Sequence, residues 1–245
     1  LYAFFIKLPL GLKKSETPAM IKLTLLFIVQ ILLLNGGTSL TLAAHATVLI
    51  SSYPFFTAFF AHLLIPGDRL SGGKILGMAV SFTGVAVIFG EALILGSEAS
   101  LMGDLVVLGS CILLGLRQVV TKRMTQGINP VRLVFWQSAL SVPAFILISL
   151  LFERNFAFRI TPAITAAVLY QGLVVAGFCF IAITTLLRRF NASVVTSFSF
   201  FTPIFGVLMS GLLLGEVVSV WLLLSLVLIA AGIVVVNRFG VAAPR

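Results

Sequence analysis

Charged side chains are what this 245-residue sequence has least of: Asp, Glu, Lys and Arg make up 9% of it, against about a quarter in an ordinary soluble domain. The scarcity is uneven. No charge occurs between Lys22 and Asp68, between Arg159 and Arg188, or between Arg189 and Glu216. A helix needs roughly 20 apolar residues to cross a bilayer, so these runs are membrane-spanning material. A hydrophobic content of 60% and a mean hydropathy of +1.20 agree, and a soluble domain is excluded. The two cysteines, Cys111 and Cys179, both sit inside apolar segments without metal-ligand spacing, so neither a disulfide framework nor a metal site is expected. No HExxH and no phosphate-cradling GxxxxGK[ST] occurs, and no cofactor is called for. The polar/apolar alternation of barrel strands is missing too; stretches such as 221–236 are apolar all round. The spans are therefore helices, which satisfy their own backbone groups in lipid.

Eight full spans are expected, over residues 21–43, 46–66, 72–92, 101–121, 131–152, 163–187, 192–214 and 218–237. Their connections carry turn chemistry: Pro66-Gly67-Asp68, Asn129-Pro130, Thr161-Pro162. Part of the chain is duplicated. Residues 45–90 and 191–238 each contain two spans, with Pro54 or Pro203 midway along the first and Gly67-Asp68 or Gly215-Glu216 as the hinge. Adding 148 maps Gly67 onto Gly215, Asp68 onto Glu216 and Gly84 onto Gly232. Thr17-Pro18-Ala19 recurs as Thr161-Pro162-Ala163. The downstream half then has five spans and the upstream half three, preceded by the apolar fragment 1–10. One helix and most of another are expected to be missing upstream, and the complete fold would hold ten helices in two five-helix repeats. The divisions are 1–95 (first repeat), 96–240 (second) and a tail at 241–245.

An odd number of helices per repeat inverts the second copy, and charge tests this. With Lys13-Lys14 in the cytoplasm, alternation puts fourteen of the 16 basic residues inside and only Arg154 and Arg159 outside. Five of the seven acids, Glu91, Glu98, Asp104, Glu153 and Glu216, fall outside. That is a positive-inside pattern, and it accounts for the net charge of +9 without nucleic acid. The expected location is the plasma membrane, with the Lys13-Lys14 segment and the C-terminus cytoplasmic.

The duplicated pattern of small residue, proline, apolar run, Gly-acid and spaced glycines resembles the EamA repeat of the drug/metabolite transporter superfamily. It is carried by Ala46, Pro54, Gly67-Asp68, Gly77 and Gly84, and again by Ala192, Pro203, Gly215-Glu216 and Gly232. Gly103-Asp104 and Lys122-Arg123, framing the first span of the second repeat, also resemble that family. Two departures are that Ser225 answers Gly77 and that the upstream acid is Asp68 instead of Glu. The resemblance implies an all-α polytopic transporter of ten helices with both ends cytoplasmic, often an exporter of amino acids or related metabolites.

Inverted-repeat carriers bind substrate near the midplane, where helices are broken by Gly or Pro. Pro54 and Pro203 lie roughly 12–17 Å from their helix starts, close to that depth. The hydroxyl-bearing residues before them, Ser51, Ser52 and Tyr53, and Ser197, Ser199 and Thr202, either satisfy the carbonyls that proline frees or face a cavity. Asn35-Gly36-Gly37-Thr38 is expected to interrupt the first span, either at a ligand or at a close helix contact; Asn35 and Thr38 are its polar members. Gly73/Gly77 and Gly211/Gly215 are expected to pack helices. Arg117 either snorkels to the nearby interface or, with Gln118, faces the cavity and holds a substrate carboxylate or phosphate. One member of each of Trp136-Gln137 and Tyr170-Gln171 is expected to face the interior. His45 and His62, near span ends, are read as interfacial. No carboxylate stands near the middle of a visible span, so coupling to protons would rest on the missing helix or a histidine.

The expected function is a secondary carrier of small metabolites working by alternating access, with the substrate and the bilayer as partners and self-association left open. A non-transporting sensor or scaffold is the alternative; it would need a soluble segment or a large loop, and every loop is short. An intramembrane enzyme would need a His/Asp/Glu cluster or a Ser–His pair at depth, and none is evident.

Overall fold

The computed structural model describes residues 11–66, 71–94, 98–152, 160–197 and 201–240, and these are helical wherever they are regular. In chain order the elements are α1 (Thr17–Thr38), α2 (Ala43–Ile50), α3 (Tyr53–Leu64), α4 (Gly72–Ile94), α5 (Glu98–Met124) and α6 (Pro130–Phe152). Next come α7 (Pro162–Leu169), the π-helical stretch π1 (Tyr170–Cys179) and α8 (Phe180–Arg189). The last are α9 (Ala192–Ser197), α10 (Phe201–Met209), π2 (Ser210–Leu214) and α11 (Val220–Gly240). Among the described residues six helices or joined helices are long and apolar enough to cross a membrane: Thr17–Thr38, Ala43–Leu64, Gly72–Glu91, Leu101–Met124, Pro130–Phe152 and Pro162–Arg189. Two shorter apolar helices, Thr202–Leu214 and Val220–Val236, occupy the positions of the last two expected spans. The protein is thus an all-helical polytopic membrane protein. Fragment 1–10, Asp68 and Ser199 lie outside the described residues, as does any account of the Ser197 side chain.

Local sequence explains where the helices begin. Both Thr-Pro-Ala tripeptides open helices, since proline at the first turn gives up a donor that has no partner there anyway. At α7 the Thr161 hydroxyl accepts from the Ile164 N–H at 3.3 Å. At α6 the Asn129 side-chain carbonyl accepts from the Val131 N–H at 2.9 Å. Pro54 falls in the first turn of α3 and so starts a new helical segment, while Pro203 lies within α10. Within the 192–214 segment the described helices are α9, α10 and π2.

Two compact units form, one from residues 1–28 and 120–190 and the other from residues 29–119 and 191–245. Each draws on both halves of the sequence. In the first, Met20, Leu23, Ile128 and Leu133 make a buried cluster, with Trp136 and Leu140 packed on it. Phe27 meets Phe145 and Phe180 edge-on, at centroid distances of 6.2 and 6.1 Å. The basic ends tie together: Arg132 pairs with Glu16, and the Lys122 ammonium donates to the Phe190 carbonyl at 2.7 Å, at the C-terminus of α8, where the helix dipole favours a cation.

In the second unit α4 and α11 pack along one another. A Cβ on Gly77 would lie 2.6 Å from the Gly232 carbonyl oxygen, and one on Gly84 would lie 2.9 Å from that of Ser225. Those two contacts are images of each other, because 77 + 148 = 225 and 84 + 148 = 232. Between them the Ser81 hydroxyl donates to the carbonyl of Ile229, its own counterpart at 81 + 148, at 3.3 Å. The Gly77-to-Ser225 departure is thereby accommodated: Ser225 presents its backbone to Gly84 and turns its hydroxyl to the Leu222 carbonyl at 2.8 Å. The helices around the two prolines pair in the same manner, α2 with α10 and α9 with α3.

Candidate functional site

The break between α2 and α3 is built from hydroxyls. Pro54 has no N–H to offer Ile50, and Ser51-Ser52 form the turn. The Ser51 hydroxyl donates to the Thr47 carbonyl at 2.7 Å and the Thr57 hydroxyl to that of Tyr53 at 3.0 Å, so Ser51 patches the helix locally. Ser52 is buried against the Cys111 thiol, which itself donates to the Leu49 carbonyl at 3.2 Å. Tyr53, half-buried, interacts electrostatically with Arg117 on α5. Gln118, next to it, is buried. Ser52, Tyr53, Arg117 and Gln118 are therefore gathered in one unit, with Arg117 partnered by a phenol toward the middle of the α2–α3 span. The arrangement is a cation with hydrogen-bonding neighbours, and a guanidinium fits a carboxylate bidentately. Pro54 and Pro203 are both buried, and Thr202 is exposed.

The remaining candidates are placed differently. The Asn35–Thr38 cluster ends α1 instead of interrupting it, and Asn35 and Thr38 are exposed. Gly37 packs closely on α5: a Cβ there would lie 2.7 Å from a Val107 methyl and 3.0 Å from the Gly103 carbonyl oxygen. Gln137 is buried, and Trp136 lies half-buried in the cluster of its own unit, so both members of that pair turn inward. Tyr170 and Gln171 are both exposed, at the start of π1. Gly211 and Gly215 do not pack helices either. Gly215 closes π2 in the left-handed region, at φ 69°, where other residues are strained, and a Cβ there would meet nothing.

A cluster whose members are dispersed in the sequence is the larger finding. His45, read from its position as interfacial, is buried (5% exposed), between Asp104 (0%) and Glu91 (4%). Its Nδ1 lies 3.3 Å from Asp104 Oδ2 and its Nε2 lies 3.5 Å from Glu91 Oε2. The Thr41 hydroxyl donates to Asp104 Oδ1 at 2.6 Å. Glu216, a hinge residue by its sequence position, accepts the backbone N–H groups of Ala43 and Ala44 at 2.8 and 2.9 Å, one on each carboxylate oxygen. The first residue before α2 is Leu42, whose side chain cannot cap. A carboxylate 173 positions beyond Ala43 does so instead, at the positive end of the helix dipole. The sequence carries part of the signal, since charge alternation assigns Glu91, Asp104 and Glu216 to one side. What it omits is that they turn inward and meet.

The cap yields a direct test. Glu216→Ala should lower the stability of the purified protein by about 1–2 kcal/mol, whereas Glu216→Gln, which retains one acceptor oxygen, should lose less. Thermal unfolding in detergent measures both.

Residues 101–238 match the family described as the EamA-like transporter family. The chain is 23% identical over 234 residues to the uncharacterized transporter YoaV of Bacillus subtilis (strain 168), covering 95% of this chain and 80% of that one. It is 26% identical over 207 residues to a probable terminal-alkyne amino-acid exporter of Streptantibioticus cattleyicolor, covering 84% and 68%. A solved structure titled "Crystal structure of protein" superposes with a TM-score of 0.69 at 18% identity, over 96% of this chain and 79% of that one, which is a likeness of fold. With more than half of its length matched, the chain belongs to the EamA-like transporter family.

Proposed function

We propose that this membrane transporter is a secondary carrier that exports amino acids or related small metabolites by alternating access of two inverted repeats. The observation that carries this reading is the self-imaged packing of α4 against α11 around Ser81 and Ile229, beside the proline-started break between α2 and α3. Discontinuous helices at the contact of matching segments are where inverted-repeat carriers hold substrate. Arg117, with Tyr53 and Gln118 beside it, then binds the substrate carboxylate. The probable exporter of amino acids among the relatives favours that chemistry. The 14 basic residues assigned to one side orient the protein with its Lys13-Lys14 segment and C-terminus in the cytoplasm of a plasma-membrane protein. Repeat boundaries at 1–95 and 96–240 belong to the same reading.

Expression in a hypersensitive strain is the test. Tolerance should rise and cellular accumulation fall for at least one class among amino acids, amino-acid analogues, nucleosides and small drugs. Arg117→Ala should remove about 90% or more of the effect if the guanidinium holds a carboxylate through charge-assisted bonds. Unchanged accumulation across all classes would count against transport, and full activity of Arg117→Ala would exclude the assigned carboxylate contact.

A further inference from the structure

We infer that His45, Glu91 and Asp104 form a buried proton-binding site whose loading and unloading couples this carrier to a proton gradient. The site rests on geometry, while its role in coupling rests on the transporter reading above. Three carboxylates converge here, and each has a different set of partners. Glu216 is satisfied by the two N–H groups at the start of α2. Asp104 accepts from the Thr41 hydroxyl on one oxygen and faces His45 Nδ1 with the other. Glu91 Oε2 is buried and has no hydrogen-bond partner, although it points at His45 Nε2 across 3.5 Å.

One proton completes this arrangement. A neutral imidazole carries a single N–H. Placed on Nδ1, that hydrogen serves Asp104 and leaves the Nε2 lone pair facing a carboxylate oxygen, so two acceptors oppose each other in a site closed to water. Placed on Nε2, it serves Glu91 and strands Asp104 instead. A proton added to the free ring nitrogen forms a second N–H bond, and the imidazolium then donates to both carboxylates. Release reverses the step: the added N–H bond breaks, its electron pair stays on the ring, and the proton passes to water when the site opens. Buried ionisable groups of this kind in membrane proteins are costly and mark proton paths, and an unpaired buried carboxylate oxygen is the kind of group that needs such an explanation.

The surroundings favour the same cargo. The charged groups acting on His45 are Asp104 from α5, Glu91 from α4 and Glu216 from the segment before α11. Burial opposes a charge on the ring, and these groups, all acidic, act against that cost. The described residues contain no group of three or more His, Cys, Asp or Glu arranged to hold a metal ion. The site also joins what must move. It links the start of α2, the end of α4, the start of α5 and the approach to α11, so its charge state bears on four segments at once.

The chain has only two histidines, His45 and His62, which makes the test tractable. Protein labelled with 15N-histidine should give two imidazole signal sets, with His62→Gln identifying the one from His45. The His45 ring should pass between its neutral and charged forms as pH is varied, and in the isosteric Glu91→Gln variant the midpoint should shift by about 1 pH unit or more. A ring that holds one form throughout, or a midpoint unmoved in Glu91→Gln, overturns the site. In a second arm, wild-type protein in liposomes is given labelled amino acids, first in counterflow without a gradient and then under an imposed pH gradient. Gradient-driven accumulation that is lost in Glu91→Gln supports coupling. Counterflow without any response to the gradient overturns coupling while the carrier reading stands; absent counterflow overturns the carrier reading and, with it, the coupling role, while the site remains decided by the titration.

Discussion

Replacing Gly232 with leucine should prevent the second unit from assembling. Even a methyl group at this position would sit 1.9 Å from the Ser81 hydroxyl oxygen and 2.4 Å from the Gly77 carbonyl oxygen. The hydroxyl can rotate away, but the carbonyl is α4 backbone, and giving way there means separating the helices. In lipid the tails are as apolar as leucine, so packing contacts and interhelical hydrogen bonds hold helices together without a hydrophobic drive between them. Separation would forfeit both, including the Ser81-to-Ile229 bond. Gly232→Ala should cost about 1–3 kcal/mol, and Gly232→Leu more. Thermal unfolding in detergent, together with the yield of monodisperse protein, gives the measurement. Gly36→Ala is the control, because a Cβ there meets nothing in a helical stretch and alanine should raise stability by up to about 1 kcal/mol. A Gly232→Leu protein as stable as wild type would mean that α4 and α11 do not cross at these glycines.

The same glycines mark how far the fold is legible in the amino-acid sequence. Gly84 and Gly232 stand out as counterparts because the spacing of the surrounding residues recurs at an offset of 148. Helix starts are legible for a similar reason: proline and a preceding Thr or Asn act within a few residues. Interactions between residues far apart in the chain leave no such trace. Nothing near Ala43 announces that Glu216 caps α2, since the partner is 173 positions away. His45 lies near a span end, where an interfacial side chain is the ordinary expectation; only the inward turn of Glu91 and Asp104 makes it a buried centre. The exposure of Tyr170 and Gln171 is hidden for another reason. A helix that is apolar all round offers no moment to orient it, and residues 162–189 are apolar over most of their length. Asn35–Thr38 looks like an interruption of a span because the charge-free run extends past Thr38 and conceals the end of α1.

Asp104 is the residue whose loss should most damage that buried centre. It has no exposed surface, accepts from Thr41 at 2.6 Å and faces His45 at 3.3 Å. Asp104→Ala removes the one carboxylate that serves both the Thr41 hydroxyl and the buried imidazole nitrogen. Removing one member of a buried charged pair costs about 3–5 kcal/mol, much of it the penalty of leaving the other member unpaired. Asp104→Asn keeps a carbonyl for Thr41 and should cost about 1–2 kcal/mol. Thr41→Val alone leaves Asp104 short of one donor, but in the Asp104→Ala background it removes a hydroxyl whose bond to Asp104 is already gone. The two changes should therefore be less than additive, with a coupling energy of about 0.5–3 kcal/mol. Unfolding of the four proteins of this cycle measures that energy. Strict additivity would show that Thr41 and Asp104 are not bonded in the folded protein, and would separate the end of α1 from α5 at the point where α2 begins.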